Sequence, residues 1–413
     1  MAQQLATLNE CSSSTFPVSV MRRDFFEQSV RHLIYLLKNL PSTRLKQTYF
    51  PNLDALRGIA AIFVVLGHIE FLKPGFRLKR IPLYSIFDIG ANIAVTLFFV
   101  LSGFLITYLL VNEKEEKQKI FLKEFYIRRT LRIWPLFYLT LFISYIIVPQ
   151  FFPSYSRYAY TSSFVLNALF LTNITYALHK PPPLGTPVWS IGIEEQFYIF
   201  WPWVLIKTRL ESLMKRLLLI ILSIFIFKAA LLYFSNPGNF IHKIWILVNI
   251  TRYDCLFIGA IAALLYKGHS IKIGRLQINY YSFANYTAQV ITYTLLILTI
   301  LANLFYKLPI IHQWYSFLFM SMILSMATYE KSIVRIDNRI LNYLGKISYS
   351  IYLLHMFVIA VLYKFVISNL PDIDIISQNF IIYSMVILST IIVASASYYF
   401  IEKPFLKLKE KFR

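Results

Sequence analysis

The sequence predicts an all-α fold, a polytopic membrane helix bundle with about ten transmembrane helices. Three observations point there. Of the 413 residues, 57% are hydrophobic and only 15% charged, where soluble domains carry about a quarter charged residues. Apolar runs recur at close to the roughly 20 residues that a helix needs to cross a bilayer. The excess of Lys and Arg, a formal net charge of +21, collects in loops between those runs. In a soluble chain that charge would suggest nucleic acid. Here the positive-inside rule assigns it to loops on one face, so the expected partner is the lipid bilayer and not nucleic acid.

The elements follow in order. Residues 1–50 form a polar arm holding one apolar patch, "HLIYLLKNL", too short to cross and flanked by basic residues, which predicts an interfacial helix. The arm lacks a basic-then-apolar-then-small pattern, so no removable signal peptide is expected. Spans are predicted at about 53–72, 86–111, 133–152, 190–206, 217–235, 245–266, 285–306, 309–328, 348–369 and 378–401. The piece 161–178, "TSSFVLNALFLTNITYAL", is short and polar, and loop charge decides its fate. The arm, "NEKEEKQKIFLKEFYIRRTLR", "KTRLESLMKR", "YKGHSIKIGRLQ", "YEKSIVRIDNRILNYLGK" and the tail "EKPFLKLKEKFR" are basic, whereas "SNLPDIDIISQN" has no basic residue. If 161–178 does not cross, all these basic segments share the cytoplasmic side; if it crosses, the later ones move outside. We therefore expect a multi-pass protein of the inner (plasma) membrane with both termini cytoplasmic, comprising an arm (1–50), one membrane domain (51–408) and a basic tail (409–413). The basic loop "LKPGFRLKR" falls outside against the rule. Cys11 and Cys255 are isolated, and no ligand spacing suggests a metal site.

Several spans carry polar residues, which are costly at membrane depth. In "LDALRGIAAIFVVLGHIEFL" Arg57 stands near the cytoplasmic end. His68, eleven residues on, lies roughly 16 Å deeper on nearly the same helical face. A snorkelling arginine with a hydrogen-bonded structural histidine fits that helix equally well. In "YIRRTLRIWP" Arg129 and Arg132 share a helical face, and their guanidinium forks suit a phosphate; enforcing topology is the alternative. Ser102 and Gly103 in "LFFVLSGFLIT" read as packing residues, and Asp88 has no evident role. In "PPPLGTPVWSIGIEEQFYIFWP" the adjacent Glu194 and Glu195 open a span. One can serve as a charge at the helix N-terminus; Glu194, four residues before Tyr198 and on its face, is the favoured functional one. Arg252 and Asp254 point to different faces and are expected to pair with other helices. His355, in "ISYSIYLLHMF" with Tyr352, reads equally as a satisfied core histidine or a site residue. His32, His179, His242, His269 and His312 have no comparable context.

Taken together, "LDALRGIAAIFVVLGH", "LFFVLSGFLI", "RRTLRIWP", "VWSIGIEEQFYIFWP", "LGKISYSIYLLH" and "YYFIEKPF" occur in the order that resembles the acyltransferase 3 family of membrane O-acyltransferases, over about residues 50–408. The resemblance implies a cytoplasmic acyl-CoA donor, acetyl-CoA first among the candidates, and a carbohydrate hydroxyl as acceptor. It places the family's Arg-x10-His motif on Arg57 and His68, its Arg-x-x-Arg motif on Arg129 and Arg132, and an acidic residue on Glu194. The expected mechanism makes His68 the base that deprotonates the hydroxyl and Glu194 an orienting carboxylate. Arg129 and Arg132 would hold CoA phosphates, Arg57 would help near the carbonyl or the entrance, and Tyr198 would line the donor site. A covalent acyl-histidine step is the alternative route. No bound cofactor is expected. A fused outer hydrolase-like domain of the kind some relatives carry is not expected here, which leaves the acceptor open: lipid-linked glycan, lipopolysaccharide O-antigen, exopolysaccharide, peptidoglycan or a small metabolite. The rival class is a transporter or flippase, since intramembrane Arg, His and Glu also build proton relays.

Overall fold

The computed structural model describes residues 50–154, 161–178, 181–185, 187–237, 239–273, 276–306, 311–328, 331–367 and 374–412; the arm with its expected interfacial helix lies outside them. Helix α1 (Pro51–Leu72) begins with proline in its first turn, where the missing N–H costs nothing. It ends in a short 3-10 turn, Lys73–Phe76. Then come α2 (Ser85–Lys117), α3 (Leu122–Phe142), which continues through a π turn at Ile143–Ile147 to Phe151, and the short α4 (Thr161–Ala168) and α5 (Thr172–Ala177). The chain goes on through α6 (Val188–Lys207), α7 (Leu210–Phe234), α8 (Phe240–Thr251) and α9 (Tyr253–Tyr266). A two-stranded antiparallel hairpin, β1 (Ile271–Ile273) and β2 (Leu276–Ile278), precedes α10 (Tyr281–Ala284), α11 (Tyr286–Phe305), α12 (Ile311–Ala327) and α13 (Arg339–Phe365). The last helices are α14 (Ile375–Ser397) and, after a π turn at Tyr398–Glu402, α15 (Lys403–Lys409).

Among the described residues eight helical segments are long and apolar enough to cross a membrane. Helices α6 and α12, 20 and 17 residues long, run alongside them and complete an all-α bundle of about ten crossings. Helices α4 and α5, at 8 and 6 residues, are too short to span, so 161–178 forms two turns at one end of the bundle, as loop charge predicts. Close contacts give the directions. Gly67 of α1 lies against Phe87 of α2, Gly103 of α2 against Leu256 of α9, and Gly345 of α13 against Asp54 of α1. Hence α2 runs opposite to α1 and α9 opposite to α2, while α13 runs parallel to α1. The segments 112–121, 207–209 and 267–273 and the C-terminal turn after α14 gather at one end, where Lys114 donates to the Thr208 carbonyl, Lys267 pairs with Glu115 and Arg128 donates to the Phe412 carbonyl.

The centre is occupied by α2 and α13, each with 72% of its apolar window buried, while α11 at 11% and α7 at 17% lie at the rim. Their exposed Phe225, Ile226, Ile297 and Leu298 suit contact with lipid. Close approach at the centre needs glycine. A Cβ at Gly103 would fall 2.0 Å from the Leu256 carbonyl oxygen, and one at Gly259 would fall 2.1 Å from that of Val100. Small residues bring membrane helices together where no water drives the packing.

Two expectations are refined. The span predicted over 245–266 is broken: Arg252 adopts a left-handed conformation, φ 44°, and divides α8 from α9. The strain is met by partners, since Arg252 Nη1 donates to Thr96 Oγ1 (3.1 Å) and the Asn92 carbonyl (3.4 Å). Asp254 accepts from Lys228 Nζ (2.8 Å) and from Gln313, so the two residues do pair with different helices. The loop "LKPGFRLKR" is tied down at two of its basic residues. Lys73 is fully buried, paired with Glu70 and Asn379, and Arg80 Nε donates to the Glu70 carbonyl (3.1 Å). Only Lys73 is thereby compensated by a carboxylate; Arg77 and Lys79 are exposed and keep their charge.

Candidate active site

The parallel pair α1 and α13 meets where Gly345 rests on the Asp54 carbonyl and Gly58 on the backbone of Leu341 and Gly345. Above that contact the two helices, with α2, α3 and α6, enclose a cavity of about 740 Å3. Arg57, Arg129, Arg132, Glu194 and Tyr198 all line it, so five of the six residues singled out from sequence converge on one space. Along α6 the spacing of four in Ser190, Glu194 and Tyr198 makes a stripe facing the cavity, as an α-helix requires. One carboxylate oxygen of Glu194, Oε2, accepts from Tyr198 Oη (2.7 Å) and from Ser102 Oγ (2.8 Å). Glu195 turns aside and takes the indole N–H of Trp134 (3.1 Å). Arg57 pairs with Asp54 at 3.5 Å. Arg129 stacks its guanidinium 5.8 Å from the centre of the Tyr198 ring, and its buried Nε has no partner.

The lining is electropositive: Arg57, Arg129, Arg132, Arg339, Lys346 and Lys409 against Asp54, Glu194 and Glu402. Arg339 and Lys346 are exposed and mark the mouth at the end where the basic loops gather. In a partly dehydrated space such cations act on an anion far more strongly than they would in water.

His68 is not part of that lining. It stands beyond the inner end, where Phe98 and Tyr352 meet at 5.8 Å and Tyr352 Oη shares a hydrogen bond with Ser190 Oγ (2.6 Å). Its Nδ1 lies 2.9 Å from the Val64 carbonyl, and its ring is 4.9 Å from that of His355. Sequence reasoning took Ser102 for a packing residue, gave no part to Ser190, and noted Tyr352 without a role; Ser190 and Tyr352 close the inner end. The stripe of four on α6 is the signal that identifies Ser190. For Ser102 and Tyr352 the partners are remote in sequence. Gly103, by contrast, packs as expected. His312 proves to have context after all, sharing a hydrogen bond with Thr96 (2.9 Å) beside Arg252.

Comparison with known proteins agrees with this architecture. A family profile described as an acyltransferase domain, Acyl_transf_3, matches residues 50–399. A protein of Staphylococcus aureus (strain COL), provisionally named an O-acetyltransferase, is 28% identical over 389 residues, covering 88% of this chain and 58% of its own length. A Bacillus subtilis protein, YrhL, provisionally named a peptidoglycan O-acetyltransferase, is 26% identical over 373 residues, 86% of this chain and 55% of its own length. The peptidoglycan O-acetyltransferase OatA of Listeria monocytogenes is 33% identical over 172 residues, 39% of this chain and 25% of its own length. The chain thus spans little more than half the length of the relatives that it matches most fully. No solved structure matches it. A multi-pass membrane bundle, a cationic cavity with Glu194 at its centre, and a family match over most of the sequence lead to one conclusion: the chain belongs to the Acyl_transf_3 family of acyltransferase domains.

Proposed function

We propose that the chain is a membrane O-acyltransferase that moves an acyl group, acetyl first among the candidates, from cytoplasmic acyl-CoA to a hydroxyl of a carbohydrate. The observation that carries this reading is the single cavity that runs from exposed basic residues at its mouth, past Arg57, Arg129, Arg132 and Glu194, to the Ser190–Tyr352 pair. Cations at the mouth suit the phosphates of the nucleotide end of CoA. The pantetheine arm then lies inward along the cavity, with the thioester toward Tyr352 and His68. The cell-envelope names of the relatives favour a surface glycan as acceptor, peptidoglycan among them.

In the chemical step the acceptor oxygen attacks the thioester carbonyl while His68 accepts its proton. A carbonyl oxygen only accepts, so the contact with Val64 fixes the proton of the neutral ring on Nδ1 and leaves Nε2 as the basic atom. The C–S bond then breaks, and the CoA thiolate takes up the proton as the ester leaves. Glu194, held by two donors, balances the surrounding guanidinium groups and orients the donor. The basic loops face the cytoplasm, and both termini lie on that side.

The test is turnover in the purified protein reconstituted into nanodiscs, with radiolabelled acetyl-CoA and a mixture of glycan acceptors. The expected result is label on the glycan in step with CoA release, and its loss by at least about 1000-fold in His68→Ala with acetyl-CoA binding retained, which is of the order of full removal of a base and its positioning. Solute movement across vesicles with no consumption of thioester would make the chain a transporter.

A further inference from the structure

We infer that His355 is a positioning residue for His68, the two imidazoles forming a pair that holds the transferred proton; this rests on the reading of His68 as the base. The rings lie 4.9 Å apart between centres, tilted by 58°, on the parallel helices α1 and α13. Each Nδ1 is tied to the carbonyl one turn back on its own helix: His68 to Val64 at 2.9 Å, His355 to Ile351 at 3.0 Å. Both neutral rings therefore carry the proton on Nδ1 and offer a lone pair at Nε2. His355 is fully buried, and its Nε2 has no hydrogen-bond partner. Burying such an atom unpaired is costly, and the fold incurs that cost beside the base. Helix α13 presents this nitrogen one turn past Tyr352, which lines the cavity.

Neither imidazole has a carboxylate hydrogen-bond partner among the described residues. The tautomer-fixing part that a carboxylate plays behind a histidine base elsewhere is taken by the Val64 carbonyl; what falls to His355 is to share the proton that His68 gains. When the acceptor O–H bond breaks and its oxygen bonds to the acyl carbon, His68 Nε2 gains the proton and becomes a donor. The unpartnered His355 Nε2, on the neighbouring ring, is the acceptor proposed to share it. When the C–S bond breaks, the pair returns that proton to the thiolate sulfur, giving free CoA thiol and two neutral rings.

The experiment compares His355→Phe, which keeps a flat ring without nitrogens, with His355→Gln, whose amide oxygen can still accept. Each is assayed per acetyl-CoA binding site, alone and with His68→Ala. We expect kcat to fall 10- to 100-fold in the Phe variant with KM for acetyl-CoA within twofold, the Gln variant to recover most of the loss, and His68→Ala/His355→Phe to be no slower than His68→Ala. Equal kcat in the Phe, Gln and unmodified proteins, equal losses in both variants, or an additive double variant overturns the pairing. A His68→Ala protein that still turns over removes the base assignment itself, a separate failure. Should neither His355 variant bind acetyl-CoA, 15N chemical shifts of the labelled imidazoles in the unmodified protein decide. Protons on Nδ1 of both rings support the pair; a proton on Nε2 of either neutral ring sinks it.

Discussion

Arg129 and Arg132 stand three residues apart on α3 and both reach the cavity, yet their surroundings differ. Arg129 has its guanidinium within 5.8 Å of the centres of the Phe125 and Tyr198 rings, contacts that restrain it. Arg132 is the better candidate for direct contact with a phosphate. A hydrogen bond between charged groups is worth about 1.5–3 kcal/mol, so Arg132→Ala should weaken acetyl-CoA binding by roughly 10- to 150-fold while kcat at saturation changes little. Titration of the purified variant with a non-hydrolysable acetyl-CoA analogue measures this, and an unchanged affinity would remove the phosphate contact. The spacing of these arginines, of Ser190, Glu194 and Tyr198, and of Arg57 and His68 was readable in advance, because a helix repeats every 3.6 residues. Which of two neighbours faces the site was settled for Glu194 and Glu195 by the companions that α2 and α3 supply, Ser102 and Trp134.

Helices meet here through glycines, and the site depends on one of those meetings. The crossing of α1 and α13 at Gly345 and Gly58 sets the distance between Arg57 on one helix and Tyr349 and Tyr352 on the other. A Cβ at Gly345 would lie 2.0 Å from the Asp54 carbonyl oxygen, which is backbone and cannot swing aside. Gly345→Ala should therefore push the helices apart, costing about 1–3 kcal/mol and lowering the thermal midpoint in detergent. Turnover should fall by more than the loss of folded protein explains. A midpoint and a specific activity equal to those of the unmodified protein would show that the crossing tolerates a methyl group. The break at Arg252 belongs to this scale too. An unbroken apolar window over 245–266 reads as one helix, and the hydrogen bonds that Arg252 donates to α2, with the Lys228–Asp254 pair beside it, hold the left-handed residue there.

For the molecule as a whole, alternating helix directions and basic loops make a single prediction about orientation. Single cysteines at the exposed positions Glu116, Arg209 and Lys331 should react with an impermeant maleimide only from the cytoplasmic face, and those at Lys79 and Asn236 only from the opposite face, in a background with Cys11 and Cys255 replaced. Labelling of Lys79 and Glu116 from the same side would overturn the topology. Length and apolar periodicity were enough to establish the fold class, because a bilayer admits few ways to satisfy a backbone; among the described residues eight of the expected spans are helices of spanning length, and 161–178 holds two short ones. Polarity within apolar runs singled out Arg57, His68 and Glu194, and helical spacing singled out Arg129, Arg132 and Tyr198; five of the six line the cavity and His68 does not. The tertiary structure alone decided which helices adjoin: α13 beside α1 across nearly 300 residues of chain, Ser102 against Glu194, His355 against His68 and outside the cavity lining. Between apolar helices in lipid the choice of neighbour rests on shape, on where a glycine lets one backbone rest on another, and that complementarity exists only once both surfaces are formed.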